Sequence, residues 1–307
     1  MIFIVSNRNI VDGRTDEHLF GDTFNSQGAD VLRVAQANYY DGWNLDLLDE
    51  AMDDASIDEP TFQVFERLAN DDKPCVVFTH GFNQSLKKNL KKCQEIESYG
   101  VNVIAFSWPS NPGPNFILRK VKEYKKARKN ARRSAFALER FFDKLTRFVE
   151  LNEGAGQIKT LLVHSLGNFL TQSFVQSPDF EYQTKVFKNI LLHQADVDSH
   201  DHHLWVNKLA QGSRVLVTIN ESDDVLDASD VLNPDRLGNT AANLRSSLVR
   251  YYDFSSAHGA NDSHKLWHEP AINNDNIKLF FERAFHGKKV LSTGMEYQAD
   301  KNCFRVS

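Results

Sequence analysis

The chain has 307 residues, of which 41% are hydrophobic and 25% are charged, and its formal net charge is −5. These values are typical of a globular protein that buries a substantial core, and they exclude a general electrostatic attraction to nucleic acid or to anionic membranes. Three cysteines are an odd number and too few for a disulfide framework, so we expect a reducing compartment.

The hydropathy of the chain leads to an expectation about location. No run of about 18 apolar residues is present, so we expect no membrane-spanning segment. Residues 1–8 lack the basic region of a signal peptide and are more typical of a first strand. The sequence therefore predicts a cytoplasmic protein, and it leaves open export without a cleaved signal.

Short apolar runs rich in β-branched and aromatic residues alternate with helical patterns. Such runs suit parallel strands that are buried on both faces of a sheet. Because strands that alternate with helices imply right-handed crossovers, we predict a mostly parallel sheet in one α/β domain. Strands are predicted at residues 75–79, 101–107, 160–164, 186–193, 214–220 and 248–254, and helices at residues 86–96, 121–145, 169–174 and 277–285.

Two segments are strongly biased in charge. Residues 41–72 are acidic, and residues 119–133 are basic. The basic segment could bind phosphate or an anionic lipid surface. Because the net charge is negative and no nucleic-acid motif accompanies the segment, we interpret it as the solvated face of an amphipathic helix.

Ser165 follows an apolar run directly and precedes a helical pattern. A buried strand, a serine at a sharp turn and a departing helix form a nucleophile elbow. The turn strains the serine backbone, and small neighbours such as Gly167 allow the strand and the helix to approach. Val163 stands where the motif usually has glycine, which leaves open that Ser165 merely caps the following helix.

A serine nucleophile needs a base, and that base needs a carboxylate to orient it. On a sheet with a nucleophile elbow, these groups follow in the order serine, acid, histidine. Asp223, in the loop after the strand at residues 214–220, is the predicted acid, with Asp224 as the alternative. A simple role as a turn or helix cap is the competing interpretation for a loop aspartate.

Three histidines follow the last predicted strand. His264 lies where the loop turns into an apolar segment, so it can be held firmly and still reach the strand ends. We therefore predict His264 as the base. His258 and His268 remain alternatives.

The tetrahedral intermediate of acyl transfer needs preorganised hydrogen-bond donors. The strand at residues 75–79 ends in His80-Gly81-Phe82, the place where a first oxyanion amide is expected. We predict the backbone N–H groups of Phe82 and Leu166 as the donors, the latter at the start of the helix after Ser165. A plain strand-to-helix turn is the alternative.

Aspartates and histidines also cluster at residues 195–203. Such side chains can bind metal, but their spacing matches no recognised zinc site. We interpret this segment as a loop at the rim of the same pocket.

These motifs resemble the α/β-hydrolase superfamily, and more closely an uncharacterised bacterial α/β-hydrolase family described as esterases or lipases. The resemblance implies an α/β-hydrolase fold with Ser165 as nucleophile, Asp223 as acid and His264 as base. It is carried by Ser6-Asn7-Arg8, Phe20-Gly21-Asp22, Thr79-His80-Gly81-Phe82-Asn83, Phe106-Ser107-Trp108-Pro109-Ser110, His164-Ser165-Leu166-Gly167-Asn168, Ala195-Asp196-Val197-Asp198, Ser222-Asp223 and Ser263-His264.

The resemblance also implies a domain organisation and an activity. We expect one domain over residues 1–286, with an acidic insertion at about 41–72 and a C-terminal extension over residues 287–307. The expected activity is hydrolysis of a small-molecule carboxylic ester, thioester or amide, with no metal or organic cofactor and no nucleic-acid partner. A non-catalytic binding protein and an acyltransferase with the same nucleophile are the alternatives.

Overall fold

A computed structural model describes residues 1–48, 60–111, 120–152, 157–230 and 235–307. Part of the acidic segment and Arg119 of the basic segment lie outside the described residues. The strands are β1 (Ile2–Ser6), β2 (Arg8–Ile10), β3 (Phe20–Phe24), β4 (Arg33–Tyr39), β5 (Trp43–Leu48), β6 (Cys75–Thr79), β7 (Asn102–Ser107), β8 (Ile158–His164), β9 (Asn189–His193), β10 (Arg214–Ile219), β11 (Arg250–Asp253), β12 (Met295–Gln298) and β13 (Cys303–Val306). The helices are α1 (Pro60–Ala69), α2 (Leu86–Glu97), α3 (Lys120–Leu151), α4 (Gly167–Val175), α5 (His203–Leu209), α6 (Asp224–Asp230) and α7 (Asp275–Phe285).

The central sheet is mostly parallel, as predicted. Across the described residues its strand order is β12-β13-β11-β10-β9-β8-β6-β7-β1-β4-β5. The neighbours from β13 to β1 pair in parallel, whereas β12 at one edge and β4 and β5 at the other pair antiparallel. The carboxyl ends of β6, β8, β9, β10 and β11 therefore meet at one edge of the sheet, where α/β enzymes place their sites.

Side chains of the inner strands alternate between two apolar layers, because successive residues of a strand point to opposite faces. Val77 and Val163 pack in the layer formed with α1, α3, α4 and α5. Val76 and Leu162 pack in the layer formed with α2 and α7. Both faces of the sheet are thus covered by helices, which fixes the strand ends rigidly.

Several elements differ in extent from the sequence prediction. The run at residues 186–193 becomes a strand only at Asn189, because Gln183–Val186 forms a 3₁₀ turn. Residues beyond 287 include β12 and β13, which join the central sheet next to β11. Within the described ranges, the helices lack the combination of length and apolar composition that a bilayer crossing requires.

Candidate active site

Ser165 occupies the turn between β8 and α4. Its φ of 55° is in the left-handed region, which a non-glycine residue adopts only at a cost in strain. Gly167 permits this turn, since a Cβ added there would lie 2.8 Å from the backbone oxygens of Thr79 and His80. Val163, the departure from the usual motif, is fully buried in the core. The local geometry is therefore a strand, a sharp turn at Ser165 and a departing helix, as the predicted elbow requires.

Asp223, in the loop after β10, and His264, in the loop after β11, form a close pair. The distance from Asp223 Oδ2 to His264 Nδ1 is 2.6 Å. Because a carboxylate accepts this bond, Nδ1 carries the proton and Nε2 is the unprotonated nitrogen of a neutral ring. Ser165 and His264 line the same cavity. The fold thus brings Ser165, Asp223 and His264, the three residues predicted from the sequence, close to one another.

Asp223 is fully buried, and its carboxylate accepts several hydrogen bonds besides the one from His264. Oδ1 accepts the backbone N–H groups of Val225 at 3.0 Å and Leu226 at 3.2 Å, at the start of α6. Oδ2 also accepts a bond from Gln194 Nε2 at 3.1 Å. A buried carboxylate with this many donors is held in one orientation.

His164, the residue before Ser165, contacts the loop that carries His264. Its Nε2 lies 2.9 Å from the backbone oxygen of His264, so Nε2 carries the proton and donates it. Nδ1 is then an acceptor, and Lys92 Nζ lies 3.4 Å from it. Burial, together with the charge of Lys92, lowers the pKa of His164 well below its ordinary value. A neutral imidazole next to Ser165 thus fixes the backbone position of His264.

His193, at the end of β9, contacts the same loop at Leu266, two residues after His264. The Leu266 N–H donates to His193 Nε2 at 3.3 Å, and His193 Nδ1–H donates to the Thr218 hydroxyl at 2.8 Å. The Thr218 hydroxyl donates in turn to Gln194 Oε1 at 3.2 Å. Burial lowers the pKa of His193 well below its ordinary value, with nearby His264 as a further cause. Both ends of the short segment after the predicted base are therefore held by neutral histidines.

The loop after β6 lies directly against the elbow. A Cβ added to Gly81 would lie 2.6 Å from Ser165 Cβ and 3.0 Å from Ser165 Oγ. Phe82 follows and packs edge-on against Tyr124, with ring centroids 5.7 Å apart. The Leu166 N–H donates to no atom of the described residues. The backbone around Gly81 and Leu166 therefore borders the Ser165 hydroxyl.

Buried polar side chains hold this loop in place. His80 Nδ1–H donates to the Gly81 oxygen at 2.9 Å, its Nε2 accepts the Trp108 N–H at 3.1 Å, and burial lowers its pKa well below the ordinary value. Arg8 donates to the Gln84 oxygen at 2.6 Å and to the Gly21 oxygen at 3.1 Å. Burial lowers the pKa of Arg8 to about 10, so it remains charged at neutral pH.

A cavity of about 630 Å³ opens over Ser165. It combines apolar walls with lysines and carboxylates from several elements. Its lining consists of Phe82, Asn83, Gln84, Lys88, Lys92, Lys120, Tyr124, His164, Ser165, Asp196, Asp224, Val225 and His264. Asp196 comes from the predicted rim loop, and its carboxylate accepts the Tyr124 hydroxyl at 3.0 Å. The volume suits a small molecule.

None of the alternatives from the sequence occupies the place of Asp223 or His264 in their hydrogen-bonded pair. Asp224 is exposed at the cavity, while its neighbour Asp223 contacts His264. His258 is exposed and does not line the cavity, and His268 Nε2 lies 3.8 Å from Glu95. Among the residues that the structure describes, no group of three or more histidine, cysteine or acidic side chains is arranged to hold a metal ion.

Sequence reasoning missed the polar network beneath the site. His193, Gln194 and Thr218 were counted only as parts of strands or their ends, although the two adjacent polar residues His193 and Gln194 at a strand end were a usable signal. Lys92 was counted only within a helix. Its position in the cavity depends on the rotation of α2 against β8, which the sequence alone does not give.

A protein family model matches most of the chain. Residues 58–283 match the family model described as alpha/beta hydrolase of unknown function (DUF900). The chain belongs to the DUF900 family. The DUF900 match includes Ser165, Asp223 and His264, along with the strands that carry them. No curated protein and no solved structure matches the chain.

Proposed function

We propose that this DUF900 protein is a serine hydrolase that cleaves a carboxylic ester, or a related thioester or amide. The observation that carries the proposal is the 2.6 Å Asp223–His264 pair, whose histidine lines the same cavity as Ser165. An acid, a histidine in a defined tautomer and a strained serine are the parts of a nucleophilic triad.

The chemistry proceeds in two halves. His264 Nε2 takes the Ser165 proton while Oγ bonds to the substrate carbonyl carbon. The tetrahedral intermediate then breaks its bond to the leaving group, which receives the proton from His264. Water, deprotonated by the same nitrogen, attacks the acyl-enzyme and releases the acid and the free serine. Asp223 stays ionised throughout and stabilises the imidazolium.

The backbone around the elbow supplies the electrostatic part of the proposal. The Leu166 N–H is unpaired among the described residues and lies at the start of α4, where the helix dipole adds to the donor. The Phe82 N–H, beside Gly81, is the proposed second donor. Two such donors stabilise the oxyanion more strongly than the carbonyl of the substrate.

The test is covalent labelling of Ser165 by an alkyl fluorophosphonate, followed by intact mass. Wild type should gain one adduct. Ser165→Ala should gain none, and His264→Ala should react at least about a hundredfold more slowly, since general base catalysis contributes 10² to 10⁴. Ser222→Ala and His258→Ala, two exposed positions, are the matched controls and should react like wild type.

Three outcomes separate the alternatives. No adduct on folded wild type would contradict the proposal and favour a non-catalytic binding protein. An adduct that His258→Ala slows and His264→Ala does not would contradict the assignment of the base. If esters are cleaved faster when an alcohol or amine acceptor is added, and acyl transfer products accumulate, the protein is an acyltransferase instead.

A further inference from the structure

Lys92 brings a cation to the wall of the cavity, close to Ser165. It lies on α2, is partly buried, and lines the cavity together with Ser165 and His264. Nζ approaches His164 Nδ1 at 3.4 Å, and this nitrogen belongs to the residue that precedes Ser165. The Lys92 side chain therefore contacts the residue that directly precedes the proposed nucleophile.

Within the described part of the chain, no carboxylate forms a close ion pair with this group, although the charge of Glu95 acts on it at longer range. The nearest acidic side chain on the same helix, Glu95, is paired instead with Lys265 at 2.6 Å. A lysine ammonium has three donors, and His164 takes one of them. Burial, with Lys265 as the second cause, lowers the pKa of Lys92 to about 7. At that pKa the group is only partly charged at neutral pH, and an anion bound beside it would favour the charged form and accept its free donors.

Among the described residues, three lysines, Lys88, Lys92 and Lys120, line the cavity together with two aspartates. Lys88, one turn earlier on α2, also lines the cavity and donates to the Asn83 side chain at 3.1 Å. The lining carboxylates come from other elements. Asp196 is engaged by the Tyr124 hydroxyl, and Asp224 is exposed on α6. The cavity wall formed by α2 therefore carries lysines, whereas the other walls combine polar and apolar side chains.

We propose that Lys92 forms a subsite for an anionic group of the substrate, so that the substrates are small esters that carry a carboxylate or similar anion a few bonds from the cleaved carbonyl. The proposal rests on the proposed function. The anion accepts a charge-assisted hydrogen bond from Lys92, and Lys88 attracts it at longer range. No covalent step involves Lys92.

The test uses two fluorophosphonates that differ only at the end of the alkyl chain. One carries a 5-carboxypentyl group and the other a 5-carbamoylpentyl group, which is its neutral isostere. The rate of adduct formation on Ser165 is measured with both probes in wild type, Lys92→Met, Lys92→Gln and Lys91→Met. Lys91 is exposed on the same helix, so its variant makes the same change in net charge away from the cavity.

Wild type should react about tenfold or more faster with the carboxylate probe, as a charge-assisted hydrogen bond warrants. The ratio should fall to near one in both Lys92 variants and should persist in Lys91→Met. A wild-type ratio near one would overturn the subsite. So would an equal slowing of both probes in the Lys92 variants, since that result shows that Lys92 only positions His164. If neither probe labels Ser165 in folded wild type, the proposed function fails first, and the subsite fails with it.

Discussion

Three buried histidines should make the fold sensitive to mild acid. Burial lowers the pKa values of His80, His164 and His193 well below the ordinary value of 6.5, so the folded chain excludes three protons that the unfolded chain binds. Since the unfolded state then binds more protons, the free energy of unfolding falls as the pH falls below the unfolded value.

The magnitude follows from proton linkage. Between pH 7.5 and 5.5, a histidine of unfolded pKa 6.5 that stays neutral in the folded chain lowers the free energy of unfolding by about 1.4 kcal/mol. Three such residues together give about 4 kcal/mol, a large share of the 5–15 kcal/mol of a typical domain. Other groups add to this loss in wild type, so the contribution of one histidine is best isolated by difference.

The measurement is urea unfolding followed by tryptophan fluorescence at pH 7.5 and 5.5, with buried Trp108, Trp205 and Trp267 as reporters. His193→Gln keeps a donor and an acceptor but has no titrating ring. We expect its loss between the two pH values to be about 1.4 kcal/mol smaller than that of wild type, whatever its absolute stability. His258→Gln, which replaces an exposed histidine, is the control and should lose as much stability as wild type. An identical loss in wild type and His193→Gln would refute the reasoning.

Three further predictions concern the site. Asp223→Asn should slow fluorophosphonate labelling about 10³- to 10⁴-fold, because an amide at this position no longer selects the Nδ1–H tautomer of His264. Circular dichroism should show that this variant keeps the fold. Gly81→Ala should abolish labelling, since its Cβ would lie 2.6 Å from Ser165 Cβ, and an adduct at the wild-type rate would show that the loop yields freely. Lys92→Met should raise the free energy of unfolding at pH 7 by at least about 1 kcal/mol, because it removes a cation that burial disfavours. Urea unfolding, with Lys91→Met as the control, measures whether the free energy of unfolding rises.

The inner strands were predictable because they are buried on both faces. The run Cys75–Thr79 is apolar up to its last residue, and the structure gives a strand with the same bounds. β5, at the edge of the sheet, and its neighbour β4 were not predicted, because both strands are partly exposed and mix apolar with polar residues. A continuous apolar run signals burial on two faces, whereas an edge strand leaves a weaker pattern.

The candidate triad was predictable from chain order, but its support was not. Asp223 and His264 could be named because the acid and the base follow particular strands of such a sheet. The contact of His193 with Thr218 depends on the register in which β9 pairs with β10. The contact of His164 with the His264 oxygen spans 100 residues. Contacts of this kind arise from packing, which single-sequence patterns do not encode.

The two edges of the central sheet have a consequence for self-association. Residues 58–283, which match the family, contribute the adjacent strands β7, β6, β8, β9, β10 and β11. On one side β1 covers β7, and on the other β13 covers β11, and both covering strands come from outside the matched region. A fragment cut to residues 58–283 would expose unpaired N–H and C=O groups along β7 and β11, and such open edges recruit strands from other molecules. The flanking segments thus cover both edges of the block of strands that matches the family.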